Sequence, residues 1–466
     1  MMDAKTRDEV RQGLAAAIGD HKVLWKEPDI IPYTKDTFRI RYEDEYKFLP
    51  DLVVLPETTS DVQKIVAVAA TRKIPLIAKG GGSSRTGMLV PTKGGIVVDT
   101  IKMNKVIEVS VAELYVTVQP GITLKELEKY LEDYGLALNQ EQGSFKVATV
   151  GGAISTSGFS RKHQKYGTIA DRVMSLEVVL ADGRVMRTGA KVLYTSTGYR
   201  LGQLFIAAEG TLGIITEATL RVEPLPEAKA AILAFYDDFW TANDAAQKVM
   251  GTCVTYTGGE AYGVNDASEY GASPGKKGVF YLGFEGTKGE VEAEVAFVTD
   301  IVKRTGGTIA DPQHTARFMA KYTIQWCGAR VATGYEGPLT TYVPMKRMRD
   351  FYDKLYGEIL PKYGTGPLPG EEYSLDVGRY RIVAGRYFVP KGDRAWERYQ
   401  GMLREIAELA TGLGGSISTC HGVGIEHRDN IELEYDEVAL DTMRAIKMAL
   451  DPDNIMNPGK KIPDKK

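Results

Sequence analysis

The chain has 466 residues, 43% hydrophobic, 26% charged and 9% aromatic, and its 58 Lys and Arg against 61 Asp and Glu leave a net charge of −3. These are the values of an ordinary globular protein, so disordered, fibrous and coiled-coil readings fall away, and two or three domains are expected. The balanced charge gives no footprint for nucleic acid. Cys253, Cys327 and Cys420 lie far apart with no CxxC pair, which argues for reduced thiols in a cytoplasmic setting rather than a disulfide frame or zinc finger.

Residues 5–19 have the spacing of an amphipathic helix, and the charged N-terminus has no apolar run, so no signal peptide is expected. No apolar stretch reaches the about 18 residues that a bilayer span needs, so no transmembrane segment is expected. The final DKK is no lipidation box. Residues 1–46 are set apart as an N-terminal helical segment. From Pro50 the pattern becomes regular. A buried strand at 52–55 is followed by Thr59-Ser60-Asp61, which caps a helix through Thr71 with Val62, Ile65, Val66 and Ala69 on one face. A strand at 75–79 is broken by five small residues, strands follow at 94–100, 106–111 and 115–121, and a helix from 124 stops at Gly135. Residues 177–188 read as strand, Asp182-Gly183 turn and strand, a hairpin signal. Strands joined partly by hairpins give an α+β class, not the βαβα rhythm of a doubly wound sheet. Pro224-Leu225-Pro226 marks a linker, so residues 47–226 form one domain. Strand–helix alternation over 227–415 predicts a second domain, an antiparallel sheet covered by helices. Residues 416–466 are a C-terminal segment whose helix is stopped by Asp451-Pro452.

Four stretches could carry chemistry. Directly after a strand stands Lys79-Gly80-Gly81-Gly82-Ser83-Ser84-Arg85-Thr86-Gly87, where consecutive glycines let main-chain N–H groups converge on an anion; a plain flexible turn stays open beside that reading. The Walker pattern is absent, and no GxGxxG opens a helix, so neither a P-loop nor a nicotinamide site is supported. In residues 143–158, eleven of sixteen residues are Gly, Ser, Thr or Ala, which lets a flat ligand approach the main chain, or makes a tight turn. In residues 209–216, Gly210, Thr211 and Gly213 are small residues that lead into a strand. In residues 418–424, His421 sits between small residues, either accessible or as a buried, hydrogen-bonded histidine.

In order, PETTSDVQKIV, KGGGSSRTG, QPGITLKELEKYL, VATVGGAISTSG, YGTIADRVMSLEVVLADGRVMRTG, TGYRLGQLFIAAEGTLGIITEATLRVEP, CHGVG and LDPDNIMNPGK together resemble the vanillyl-alcohol-oxidase/p-cresol-methylhydroxylase (PCMH-type) flavoprotein superfamily. Within it the chain is most similar to the FAD-linked glycolate oxidase and D-lactate dehydrogenase branch. The resemblance implies a PCMH-type two-lobed FAD-binding domain, an α+β cap domain and a C-terminal segment returning to the flavin. It assigns Gly80, Gly81, Gly82, Ser83, Ser84, Thr86 and Gly87 to the pyrophosphate. Pro120, Gly121, Gly143, Ser144, Thr149, Gly152, Ser155, Ser157 and Gly158 fall to the ribityl chain, adenosine and flavin edge. Gly210, Gly213 and Ile215 fall to the adenine side, and Asn457 to the flavin. Some relatives attach FAD through a histidine in the glycine-rich loop. This loop has none, which implies non-covalent FAD.

Metal-dependent members of the branch carry His before G-D-G-N-L-H, then G-E-H-G-I-G. Here Val377 and Ala384 stand at the two histidine positions and Cys420 at the glutamate, so no metal site of that kind is expected. Arg379, Tyr380, Arg381, Arg386 and Tyr387 occupy that stretch instead, and a guanidinium fork could replace the metal as clamp on a carboxylate, or be a solvated strand face. Arg330 lies where relatives carry a substrate arginine, with Tyr322 and Trp326 as pocket walls or mere packing. His421 is the acid/base candidate. The resemblance thus implies hydride transfer from a small anionic hydroxy compound, such as D-lactate or glycolate, to flavin N5. Its alternatives are a non-redox FAD enzyme like alkylglycerone-phosphate synthase, a phenolic-alcohol oxidase, or a flavin subunit feeding an electron-transfer flavoprotein, iron–sulfur or quinone acceptor. A homodimer stays open.

Overall fold

The computed structural model describes the chain apart from Met1, residues 38–47, 266, 323–333, 366–372, 377–382, 391, 393, 464 and 466. The chain divides into two compact units: residues 1–159, 168–224 and 420–466 form the first, and residues 160–167 and 225–419 the second.

The first unit opens with α1 (Ala4–Ile18), started by Asp3, whose carboxylate accepts from Thr6 N at 2.9 Å. A four-stranded sheet follows, built from β1 (Val23–Leu24), β2 (Leu52–Val54), β3 (Leu76–Lys79) and β4 (Ile96–Asp99) in the order β1-β2-β4-β3. β2 and β3 both run parallel to β4. Leu52, Val53, Val54, Ile96, Val97 and Val98 are all buried, the mark of strands covered on both faces. Between β2 and β3 runs α2 (Thr59–Arg72), capped by Thr58 Oγ1, which accepts from Asp61 N at 3.1 Å. The helix ends at Lys73 in the left-handed conformation, φ 53°. Its Val62, Ile65, Val66 and Ala69 join Val10, Leu14 and Ile18 of α1 in one core, the face expected from the sequence.

A second sheet carries β5 (Val106–Ser110), β6 (Tyr115–Val118), β7 (Val173–Val179), β8 (Val185–Arg187) and β9 (Ile214–Arg221), in the order β5-β6-β9-β7-β8. β7 and β8 form the expected hairpin, with Gly183 at φ 81° in its turn. The core beside this sheet takes Leu124, Leu127 and Leu131 of α3 (Leu124–Glu132), whose Thr123 and Glu126 make a reciprocal capping box. It also takes Val150, Ala153 and Ile154 of α4 (Val150–Ser155), a helix where the small-residue pattern also allows a tight turn.

In the second unit β10 (Ala228–Tyr236), β11 (Gly258–Gly263), β12 (Gly278–Gly286), β13 (Thr308–Ile309), β14 (Gly334–Thr341), β15 (Tyr373–Asp376) and β16 (Val383–Pro390) form one antiparallel sheet in the order β13-β10-β12-β11-β15-β16-β14. α5 (Phe239–Met250), α6 (Lys288–Arg304) and α7 (Ala395–Gly412) pack on it. Residues 160–167 are tied into this unit. Lys162 Nζ pairs with the buried Glu285 at 3.2 Å, Lys165 bonds the Glu285 carbonyl, and Gln164 N donates to Thr257 O at 3.1 Å. From Cys420 the chain is back in the first unit, where α8 (Glu437–Leu450) lies.

Candidate functional site

β3 delivers Lys79, whose ammonium pairs with Asp99 at 2.8 Å and donates to Gly80 O at 3.0 Å. The chain then enters the glycine loop, which lies main chain to main chain on residues 147–152. A Cβ on Gly80 would stand 2.1 Å from Thr149 Oγ1, and one on Gly81 1.8 Å from Val147 O. Gly82 and Gly87 have φ 73° and 77°, which only glycine adopts freely. Ser84 Oγ is buried without a partner, while Ser84 O accepts from Thr37 N at 2.9 Å. Thr149 caps α4, accepting from Gly152 N at 3.3 Å, and Gly151 N donates to Pro120 O at 2.8 Å. Gly121 has no room for a side chain: its Cβ would meet Thr100 O at 1.9 Å. At the end of α4, Ser155 O accepts from Glu209 N at 2.8 Å. Ser157 has φ 51°, and Gly158 abuts Gln142, whose Nε2 is buried without a partner. Gly143 and Ser144 form the turn before α4, with Ser144 O accepting from Val147 N at 2.9 Å.

The third and fourth stretches meet at Glu209. Its carboxylate is buried and accepts from Val423 N at 2.7 Å and Gly424 N at 2.9 Å, with Lys461 Nζ 3.6 Å away. Asn457 Nδ2 donates to Glu209 O at 2.7 Å and Met88 O at 3.0 Å, and Asn457 Oδ1 is buried without a partner. Thr86 joins the glycine loop to the same place, its carbonyl accepting from Ile425 N at 2.9 Å and Glu426 N at 3.2 Å, and its hydroxyl donating to His421 O at 3.3 Å. Ser157, Ala207, Glu209, Asn457 and Lys461 all have positive φ. Left-handed backbone costs a non-glycine residue roughly 1–2 kcal/mol, and such residues gather where structure is held for function.

Burial, the Arg85 charge and His427 push the His421 imidazole down to about 3, so it is uncharged at neutral pH. His427 is pushed down to about 4 by burial, against the pull of Glu209. His427 Nδ1 is buried without a partner, and its Nε2 lies 3.5 Å from Glu426. Lys460, in the same NPGK tail, is buried and donates to Val90 O at 2.8 Å; burial lowers it to about 8.

Within the first unit the structure thus brings residues 80–87, 120–121, 147–158, 209–210, 421–427 and 457 together. Gly213 and Ile215 sit apart from that cluster's polar contacts. Gly213 fits against Val178 and Val179 of β7, and Ile215 is a core residue opposite Val178. Arg330, Tyr380 and Arg381, with Val377, Arg379 and Trp326, lie outside the described residues. Among the described residues no group of three or more His, Cys, Asp or Glu is placed to hold a metal ion. The sequence pattern does not single out Arg85, Glu209 or His427, whose contacts join positions up to hundreds of residues apart. The one local signal was Glu209 standing before Gly210 in the small-residue stretch.

The polar groups present fit a flavin dinucleotide. The glycine loop offers main-chain N–H groups with no room for a Cβ at Gly80 or Gly81, Ser84 Oγ and Gln142 Nε2 are buried donors without a partner, and Asn457 Oδ1 is a buried acceptor without one. The FAD binding domain family matches residues 50–189, and the FAD linked oxidases C-terminal domain family matches residues 382–461. The chain belongs to the PCMH-type FAD-linked oxidase superfamily and is an FAD-linked oxidoreductase. It is 29% identical over 432 residues to glycolate oxidase subunit GlcD of Bacillus subtilis, covering 89% of this chain and 90% of that one. It is 30% identical over 421 residues to a D-lactate dehydrogenase of Archaeoglobus fulgidus, covering 88% and 90%. A solved structure of p-cresol methylhydroxylase with substrate bound shares the fold, with a TM-score of 0.79 at 19% identity over 100% of this chain and 99% of that one. Among the described residues no helix is long and apolar enough to cross a membrane.

Proposed function

We propose that the chain oxidises a small anionic 2-hydroxy acid of the D-lactate or glycolate type. His421 accepts the hydroxyl proton, and FAD, when bound, supplies the hydride acceptor. The observation that carries this reading is His421 itself, an uncharged imidazole fixed on a loop that Thr86 and Glu209 lock to the glycine-rich stretch. Neutral imidazole can take a proton, and a loop locked on two sides supports a fixed position for it. The names of the relatives, glycolate oxidase and D-lactate dehydrogenase, support the same substrate class. Residues 80–84, Thr86 and Gly87, with Thr149, Gly152, Ser155, Ser157 and Gly158, would hold the cofactor through main-chain N–H groups and hydroxyls. With no histidine in the loop, the proposed hold at that loop is non-covalent. Sequence alone nominates Arg330, Tyr380 and Arg381 for further substrate contacts.

The test is anaerobic. D-Lactate, glycolate, phenols and phosphate esters are mixed in turn with the FAD-loaded protein, and bleaching of the flavin is followed. Hydroxy acids should bleach it and the other classes should not. His421→Ala should keep its FAD and lose reduction by about 100-fold or more, the range of a lost proton acceptor. Normal reduction in that variant removes His421 from the reaction, and bleaching by phenols alone replaces the substrate class.

A further inference from the structure

Arg85 is the cation of the glycine-rich loop's second half, in a stretch otherwise made of Gly, Ser and Thr from 80 to 87. Its placement is fixed by its neighbour. Thr86 is buried, its carbonyl accepts from both Ile425 N and Glu426 N, and its hydroxyl donates to His421 O. Gly424 presses so close that a Cβ there would lie 2.1 Å from Thr86 O. Positions 85 and 421 therefore cannot drift apart without breaking three hydrogen bonds. The Arg85 charge is felt at the His421 ring, which it helps keep uncharged. The buried carboxylate nearby, Glu209, is engaged with Val423 N and Gly424 N.

We propose that Arg85 is the specificity-determining residue of the site, its guanidinium taking the carboxylate of the acid whose hydroxyl proton His421 accepts. The proposal rests on the substrate reading above. In a 2-hydroxy acid the carboxylate is bonded to the carbon that bears the hydroxyl, so the group that holds one and the group that deprotonates the other must be neighbours. A guanidinium fork matches a carboxylate with two parallel hydrogen bonds. It also sets the order of events. With the site empty, the Arg85 charge opposes a second positive charge on His421. A bound carboxylate offsets that charge and makes the imidazole a better proton acceptor, so the substrate's own anion readies the base. The hydroxyl O–H bond then breaks with its proton passing to His421. The C–H bond breaks with its electron pair leaving as hydride to FAD, which is reduced as the alcohol carbon is oxidised. An uncharged alcohol brings no such offset.

The experiment uses the FAD-loaded protein, its Arg85→Gln and Arg85→Lys variants, and three probes: D-lactate, the uncharged methyl ester of D-lactate, and oxalate as a non-reacting anion read by its perturbation of the flavin spectrum. Arg85→Gln should weaken lactate and oxalate binding by roughly 100-fold, the scale of a lost charge pair, and should not slow the ester's reduction, because His421 loses a positive neighbour that the ester cannot offset. Arg85→Lys should recover about a tenth of the affinity by charge alone. Lactate and oxalate affinities within threefold of wild type in Arg85→Gln overturn the proposal. So does an equal loss for acid and ester, or loss of FAD from both variants, which puts Arg85 on the cofactor. If wild type bleaches with no hydroxy acid yet binds oxalate only while Arg85 is present, the substrate reading fails and the anion subsite stands.

Discussion

The Glu209 carboxylate is taken out of water and given two main-chain N–H donors and a lysine 3.6 Å away, while its own backbone sits at φ 55°. A buried carboxylate is costly unless its oxygens are engaged, and here the engagement sets the path of residues 421–424. Glu209→Gln keeps the shape but turns one acceptor oxygen into an NH2 that faces another N–H. The expected loss is about 2–3 kcal/mol of stability, from one charge-assisted hydrogen bond removed and one donor left unmatched. Flavin reduction should slow as well, because His421 rides on the loosened loop. Urea unfolding and anaerobic reduction rates check both, and a variant equal to wild type in the two would deny Glu209 this role. None of this is visible in EGTLG as a string. The partners of Glu209 come from positions 423, 424, 457 and 461, and a sequence shows their types without their meeting.

At the scale of elements, legibility followed hydrophobic pattern. The Val and Ile runs of β2 and β4 announce themselves because both their faces are buried. α4 does not, since Gly151 and Gly152 give it poor helix propensity; it is held by its Thr149 cap and by Gly151 N bonding Pro120 O. β11 is equally hidden: Gly258 and Gly259 argue against a strand, yet a Cβ on Gly258 would stand 1.9 Å from Arg161 O, so the strand needs its glycine to receive residues 160–167. The glycine loop yields a graded prediction on the same grounds. Gly81→Ala drives a methyl into the rigid carbonyl of Val147, whereas Gly82→Ala meets only the end of the Lys79 side chain, at 3.4 Å, and pays the left-handed strain alone. Gly81→Ala should lose FAD affinity by about 100-fold, and Gly82→Ala by about tenfold at most. Fluorescence titration with FAD measures both, and the reverse ranking would mean that the 147–152 main chain does not shape the cofactor's seat.

For the molecule as a whole, three histidines are held uncharged by burial: His163 in the second unit at about 4, with His421 at about 3 and His427 at about 4 in the first. Unfolded imidazoles take up protons below about pH 6.5, while the native ones wait until about 4 or lower. Between those values the unfolded chain binds more protons, so stability is full above pH 6.5 and declines as the pH falls. For His163, only 1% exposed, the loss reaches roughly 3 kcal/mol by pH 4. The two units need not melt together, and each carries its own buried imidazole, so both transitions should move down on acidification. Calorimetry at pH 7.5 and pH 5 tests this directly. His163→Gln should flatten the acid response of the transition that does not shift when FAD is added, since ligand binding stabilises only the unit that holds it. An unchanged acid response in that variant would mean that the carboxylates, and not the buried imidazoles, set the acid limit of the fold.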